Sequence, residues 1–377
     1  MIVKDESHVI RRCLDSVRPF IHHWVIVDTG STDGTQALIR ELLADVPGEL
    51  HERPWKNFGH NRSEALELAR GRADYCLIID ADEVLSAEPG FAMPRLDADE
   101  YLVRHEAGGP HGSFYLTQLV RSRLPWRYVG VLHEVIQCDE PHTTQKLEGL
   151  VCRGFFDSAR NVDPKAKYRR DAEVLKQALE QEPDNSRYVF YLAQSYRDSD
   201  QLELAIDTYR RRVAMGGWDQ EVWYSLFQVA VLLERSGGDF APALAAYLDA
   251  FQFRPARAEP LCELARHFRQ RQQYAKAYLF ARQAAELPLT DDILFLDRTV
   301  YDWRALDELC VSAFYVGRHE ECRAAGQHLL ASGRLPEGER ARVSENIGFA
   351  VAALASQPRP TVRDAKNAAK RARRKRR

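Results

Sequence analysis

Three acidic segments, far apart in the chain, carry the residue types that could do chemistry. Asp80-Ala81-Asp82-Glu83 follows the apolar run Tyr75-Cys76-Leu77-Ile78-Ile79. In an extended backbone, residues two apart share a side. The carboxylates of Asp80 and Asp82 are therefore expected to converge on one hard divalent cation, Mg²⁺ or Mn²⁺, which favours oxygen ligands and bridges to substrate phosphates. Asp28 closes a second apolar run, Trp24-Val25-Ile26-Val27, and leads into Thr29-Gly30-Ser31-Thr32-Asp33-Gly34. A turn of such small residues at a helix start is expected to leave N–H groups free for phosphate or ribose. Alternatively, Thr32 or Asp33 simply caps that helix. The third segment is Gly130-Val131-Leu132-His133-Glu134. Along a strand His133 and Glu134 would face opposite ways, so a joint role requires a turn or bulge between them.

The elements that must position these groups are legible in the periodicity. The pattern predicts strands over 24–27 and 75–79, a helix from Gln36 to Ala44 and another from Ser63 to Ala69. Further strands are expected over Glu100 to His105, Phe114 to Arg121, Tyr128 to Gln137 and Gln145 to Arg153. Strand–helix–strand followed by several strands argues for an open α/β sheet with a mixed edge. Such sheets bind ligands at the carboxyl ends of their strands, where Asp28, Asp80 and Asp82 fall.

From Pro164 the period turns helical and repeats. Leu192, Ala193, Tyr196, Ala205 and Tyr209 fit the tetratricopeptide template, as do Trp223, Leu226, Ala243, Tyr247, Ala250 and Pro255. Leu261, Leu264, Ala265, Phe268, Ala277, Ala281 and Ala284 make a third copy, and Leu306, Leu309, Cys310, Ala313, Gly317 and Cys322 a degenerate fourth. Small residues at 205, 243 and 277 let paired helices approach closely. Tyr188, Tyr191, Trp218, Trp223 and Tyr224 suggest an aromatic concave surface, and Trp218 after Gly216-Gly217 is a candidate contact for an acceptor or for the transferase half.

Composition narrows the function classes. The 377 residues correspond to about two and a half domains of ~150 residues. With 45% hydrophobic and 29% charged residues, the chain is globular rather than mostly disordered. No apolar run reaches the ~18 to 20 residues of a membrane span, and Val222 to Leu233 reads as a buried helix. The 7 cysteines form no C-x-x-C pair, which argues against a disulfide framework or a cysteine zinc site and for a reducing cytoplasm. The net charge of -2 hides a tail: between Lys366 and Arg377 lie eight basic residues and no acid, so the rest carries -10. No nucleic acid is expected as a partner; the tail is expected to be disordered and to suit the inner membrane surface. The P-loop pattern is absent, which weighs against nucleotidyl transfer.

Taken together, Val25-Ile26-Val27-Asp28-Thr29-Gly30-Ser31-Thr32-Asp33-Gly34-Thr35, Lys4-Asp5-Glu6 before it and Asp80-Ala81-Asp82-Glu83 after it resemble a bacterial family-2 glycosyltransferase of the GT-A fold. Trp55-Lys56-Asn57-Phe58-Gly59-His60-Asn61-Arg62 and Gly130-Val131-Leu132-His133-Glu134 are similar to two later stretches of that family. The resemblance implies a GT-A transferase domain over 1–155, with a shortened first strand. A tetratricopeptide-like helical domain over 156–345 and a basic tail over 346–377 would follow. It also implies a nucleotide-sugar donor, UDP-linked, a divalent cation and inverting transfer to a glycan, lipid-linked or protein acceptor, with the repeats free to bind a protein partner. By position, Asp28 would bind the nucleotide base, with Asp5 and Glu6 lining the same pocket and Asn61 and Arg62 near the nucleotide. Asp80 would face ribose or metal, Asp82 would bind the metal, and His133 would assist.

Inverting transfer is one displacement at the anomeric carbon, so a single base must take the acceptor proton; Glu134 is the candidate. Two features depart from the family. Asp5 stands where Asn is usual, and the chain begins inside the first strand of the resemblance. The competing reading is a catalytically idle transferase-like domain fused to a repeat scaffold that binds protein.

Overall fold

The computed structural model describes residues 1–107, 113–155, 157 and 163–356. The basic tail expected to meet a membrane lies outside them. The chain forms two compact units, 1–243 and 244–377.

In the first unit, a parallel trio is ordered β1 (Ile2–Val3), β2 (Trp24–Asp28), β3 (Gly48–Glu52). The β-branched run of β2 suits this central position, because Ile26 and Val27 are buried. Helices α1 (Ile10–Val17) and α2 (Thr35–Leu42) cover the trio. Ile10, Cys13, Leu14 and Val17 recur at helical spacing, and all four are buried. Val3, Ile10, Leu14, Ile26, Ile39 and Leu43 form one core.

A mixed five-stranded sheet runs in the order β4 (Tyr75–Leu77), β7 (Ser113–Arg121), β6 (Glu100–Ala107), β10 (Thr144–Gly154), β5 (Glu83–Ala87). Its core gathers Ile79, Leu85, Tyr101, Val103, Leu119, Leu150 and Cys152 with Cys13 and Val17 of α1. Helix α3 (Phe58–Ala69) packs against β1, β2 and the hairpin of β8 (Arg127–Val129) and β9 (Val135–Gln137). A mainly apolar cavity of about 550 Å³ lies between β2 and β4, bordered by Met1, Ile2, Leu14, Ala65 and Leu77. The first unit continues through α4 (Pro164–Gln181), α5 (Ser186–Asp198), α6 (Leu202–Ala214) and α7 (Asp219–Arg235), each packed on the next.

Helix α8 (Ala241–Phe253) contains the division between units. The second unit holds α9 (Glu259–Gln270), α10 (Tyr274–Glu286), α11 (Ala305–Tyr315), α12 (His319–Ala331) and α13 (Glu337–Ser356). Ala205, Ala243 and Ala277, the small residues at the repeat spacing, are all buried. Helix α13 continues to Ser356, and the compact units divide at 243/244.

Three local expectations need correction. The segment 128–137 is a hairpin rather than one strand, because Gly130 and His133 both take left-handed backbone angles. The metal motif is not extended: the Glu83 N–H donates to the Asp80 carbonyl at 3.1 Å, closing a tight turn over Ala81 and Asp82. The strand before it spans Tyr75–Leu77, with one further backbone bond from Ile78 N–H to the Gln118 carbonyl at 2.8 Å.

Candidate functional site

The base of the site is the junction of β2 with its turn. Asp28 is 1% exposed. Its Oδ1 accepts from the N–H groups of Gly30 and Ser31, each at 2.9 Å, and from Gln36 Nε2 at 3.0 Å. Its Oδ2 is buried with no partner. Burial alone would raise the Asp28 pKa, but the hydrogen bonds from Ser31, Gly30 and Gln36 outweigh it and hold the carboxyl below its ordinary value. An ionised oxygen without a donor is costly to bury.

The turn after Asp28 does not leave a row of free N–H groups, contrary to expectation. Gly30 and Ser31 donate to Asp28, Thr32 N–H to Asp5 Oδ1 at 2.7 Å, and Thr35 N–H to Asp33 Oδ1 at 3.0 Å. Nearby carboxylates have satisfied them. Asp5, at φ +57°, thus braces the turn, and its own N–H donates to Ser31 Oγ at 2.9 Å. Glu6 N–H donates to Thr35 Oγ1 at 2.9 Å, and Ser7 N–H to Asp33 Oδ2 at 2.9 Å. Segment 5–7 is laced to the turn along its whole length.

Helix α3 brings the next groups. Asn57 caps it, accepting from His60 N–H at 2.8 Å. Asn61 is fully buried and holds the preceding loop: its Oδ1 accepts from Lys56 N–H at 2.9 Å and its Nδ2 donates to the Pro54 carbonyl at 3.1 Å. Arg62 points the other way. Its Nη2 donates to Asp80 Oδ2 at 2.6 Å, its Nε lies 2.7 Å from Glu134 Oε1, and its guanidinium sits 5.5 Å from the Tyr128 ring centroid. Burial would lower the Arg62 pKa, yet Asp80, Tyr128 and Glu134 more than compensate and keep it above the ordinary value. For Asp80 burial acts upward, and Arg62 prevails to hold it low.

The close approach of α3 to the hairpin depends on two glycines. A Cβ on Gly59 would lie 2.2 Å from the Gly130 carbonyl oxygen, and Gly130 itself has φ +116°. Ser63 Oγ, accepting from Tyr128 N–H at 2.8 Å, pins the same junction. The required turn between His133 and Glu134 is present: His133 has φ +50°, its ring stacks on Tyr191 at 3.8 Å, and Glu134 turns inward to Arg62.

Asp80 and Glu134 are therefore gathered on Arg62, with Asp82 in the adjoining turn. The His133 ring stacks on Tyr191 of α5. Among the described residues, the three metal-ligating groups whose donor atoms come within 4.8 Å of one another are Glu83, His105 and Cys152 instead. Glu83 Oε2 accepts from Asp80 N–H at 2.9 Å, and Glu83 Oε1 lies 3.8 Å from His105 Nδ1. His105 Nε2 pairs with Gln118 Oε1, whose amide nitrogen donates to the Ile78 carbonyl. Burial and the neighbouring Asp80 push the Glu83 carboxyl up to about 7.

Sequence reasoning missed Gln36, Tyr128, Gln118 and Arg187, and read Tyr191 as part of the aromatic repeat surface rather than as a partner of His133. Gln36 sits one turn into α2, where a long amide can reach back to Asp28; its spacing was a usable signal. The others come from distant segments and left none. All seven cysteines are free. No helix among the described residues is long and apolar enough to cross a membrane. Trp218, at the start of α7, is 44% exposed, whereas Trp223 and Tyr188 are buried.

The family model described as "Glycosyl transferase family 2" matches residues 1–89. A "TPR repeat-containing protein" of Synechococcus elongatus is 29% identical over 304 residues, 75% of this chain and 73% of that protein. The SPbeta prophage-derived glycosyltransferase SunS of Bacillus subtilis is 25% identical over 225 residues, 56% of this chain and 52% of SunS. Among solved structures, BtubC from P. vanneervenii is 16% identical, with a TM-score of 0.38 over 58% of this chain and 91% of that one.

Proposed function

We propose that this chain, a glycosyltransferase with a family-2 domain at its N-terminus and tetratricopeptide repeats behind it, performs inverting, metal-dependent transfer from a nucleotide-sugar. The donor in this reading is UDP-linked, and the acceptor is a hydroxyl of a glycan, a lipid-linked glycan or a protein. The observation that carries it is the bridge Asp80–Arg62–Glu134, which draws the metal motif and the base candidate to one side chain at the rim of the sheet.

Asp28 offers its unpartnered Oδ2 to an N–H of the nucleotide base, held in place by Gln36 and the turn. Asp82 and Asp80 would hold Mg²⁺ or Mn²⁺; two carboxylates in one tight turn supply the hard oxygen donors such ions need. The buried trio of Glu83, His105 and Cys152 mixes in a thiol and an imidazole, which suit softer metals. When bound, the cation neutralises charge that grows on the departing diphosphate. The acceptor oxygen forms its bond to the anomeric carbon as the bond from that carbon to the diphosphate breaks, and its proton passes to a Glu134 carboxylate oxygen. Arg62 keeps Glu134 and Asp80 fixed until substrates arrive.

We place the protein in the cytoplasm, with the basic segment 366–377 meeting anionic lipid and the repeats receiving a protein partner. A panel of nucleotide-sugars with Mn²⁺ or Mg²⁺ tests the reading through metal-dependent hydrolysis. Thermal melting with UDP and Mn²⁺ gives a second readout, since a ligand at ~100 times its Kd stabilises by about 2.7 kcal/mol. The shift should be present in the wild type and lost in Asp82→Ala. No hydrolysis and no shift in either protein would leave only the idle scaffold.

A further inference from the structure

We infer that helix α5, the first helix of the repeat array, belongs to the transferase site: Arg187 and Tyr191 are positioning residues that set the direction of Glu134. This rests on the reading of Glu134 as the base.

An uncommon backbone angle lies next to that base: His133 is not a glycine, yet it occupies the left-handed region at φ +50°, which few non-glycine residues adopt although His, Asn and Asp do so more often than the rest. The hairpin fixes only the ends of the loop: Val129 pairs with Val135, and Gly130 lies over Gly59. What holds the middle comes from α5. The His133 carbonyl accepts from Arg187 Nη2 at 2.8 Å and from its Nε at 3.3 Å. The His133 ring lies flat on Tyr191, with centroids 3.8 Å apart and planes 10° from parallel. The Arg187 guanidinium sits 5.0 Å from the centroid of that same ring, so the two α5 residues also steady each other.

Both sides of one peptide unit are thereby clamped, the ring by Tyr191 and the carbonyl by Arg187. That carbonyl belongs to the peptide bond leading into Glu134. Its orientation therefore decides whether the Glu134 side chain turns inward, to within 2.7 Å of Arg62, or outward. Arg187 and Tyr191 lie four residues apart on one face of α5. Their shared hold on His133 is what that spacing provides. Arg187 and Tyr191 meet the loop at His133, so their effect on Glu134 passes through the loop.

The test uses the full chain and the nucleotide-sugar that the hydrolysis panel identifies. Arg187→Ala and Tyr191→Ala are expected to lower kcat about 10-fold or more, with KM for the donor and the UDP–Mn²⁺ melting shift unchanged. Tyr191→Phe, which keeps the ring, and Arg187→Lys, which keeps a donor, should restore most of kcat. Combined with Glu134→Gln, either alanine variant should add little further loss, since the pair acts through that residue. Unchanged kcat in both alanine variants overturns the positioning role, as does a loss that multiplies fully with that of Glu134→Gln. Full turnover by Glu134→Gln alone overturns the base assignment beneath it, whatever the α5 variants do.

Discussion

Each unit of this protein sets an arginine between two carboxylates, and the two arrangements differ in what they leave over. In the second unit Arg257 is fully buried. It donates to Glu259 Oε1 at 2.7 Å from Nη2, to Asp292 Oδ2 at 3.2 Å, and to the carbonyls of Leu294 and Phe295. Glu259 also accepts from the Tyr301 hydroxyl at 2.9 Å, and Asp292 from Arg254 Nε at 2.5 Å. The first unit's Arg62 joins only two carboxylates, Asp80 and Glu134, at the rim. Asp28 of the same unit retains a buried oxygen with no hydrogen-bond partner. A buried ion network thus does not mark a functional site by itself.

The largest effect should come from breaking the saturated network. Arg257→Ala leaves Glu259 buried without its main counter-charge and Asp292 with Arg254 alone, and breaking a buried pair typically costs about 3–5 kcal/mol. Urea unfolding should show that loss while nucleotide binding in the first unit stays intact. If the unfolding midpoint barely moves, the network is not the clamp its geometry suggests, and the comparison fails on that side.

The residues differ just as much in how far the sequence announced them. Asp28, Asp80 and Asp82 could be read as strand-end acids because β2 and β4 are short apolar runs between polar turns. Strand β3 could not: Gly48-Glu49-Leu50-His51-Glu52 is polar, and it pairs as a strand because it adds to the edge of β2. Amphipathic α1 left a clear period in Ile10, Cys13, Leu14 and Val17, a signal available without any structure. The bridging role of Arg62 and the hold of Tyr191 on His133 depend on contacts between segments 18 to 72 residues apart. No local period records such contacts. The expected free N–H groups of the 29–34 turn failed for a related reason. Composition showed the donors but not the carboxylates of Asp5, Asp28 and Asp33 that would reach them.

A smaller effect sharpens the other side of the comparison. Asp28→Asn keeps the side-chain volume but removes the charge and replaces one oxygen with a donor. A hydrogen bond to a charged group contributes about 1.5–3 kcal/mol, so the Kd for UDP should rise about 10- to 100-fold. Isothermal titration would show it. Asn in place of Asp28 also faces the N–H groups of Gly30 and Ser31, so melting without ligand must be measured alongside. Equal losses of affinity and stability would mean that the unpartnered oxygen has no ligand to receive.

The smallest effect separates the two regions by pH. The Glu83 carboxyl is raised from 4.5 to about 7 by burial and by Asp80, so the fold favours its protonated form. The sign follows from linkage: the contribution is complete below pH ~4.5, where folded and unfolded chains both carry the proton, and is lost as pH rises through about 7. A shift of this size sets a ceiling of roughly 3 kcal/mol, and water reaching the rim should reduce it to on the order of 1 kcal/mol. Asp292 in the second unit behaves oppositely. Burial would raise its pKa, but Arg254 and Arg257 prevail and depress it, so its contribution is present above pH ~4 and disappears only in acid. The two windows do not overlap. Unfolding measured from pH 5 to 8 should therefore show a falling limb in the wild type that Glu83→Gln flattens. Parallel curves for the two proteins would mean that Glu83 is ionised throughout, with its charge balanced by Arg62 along with those of Asp80 and Glu134.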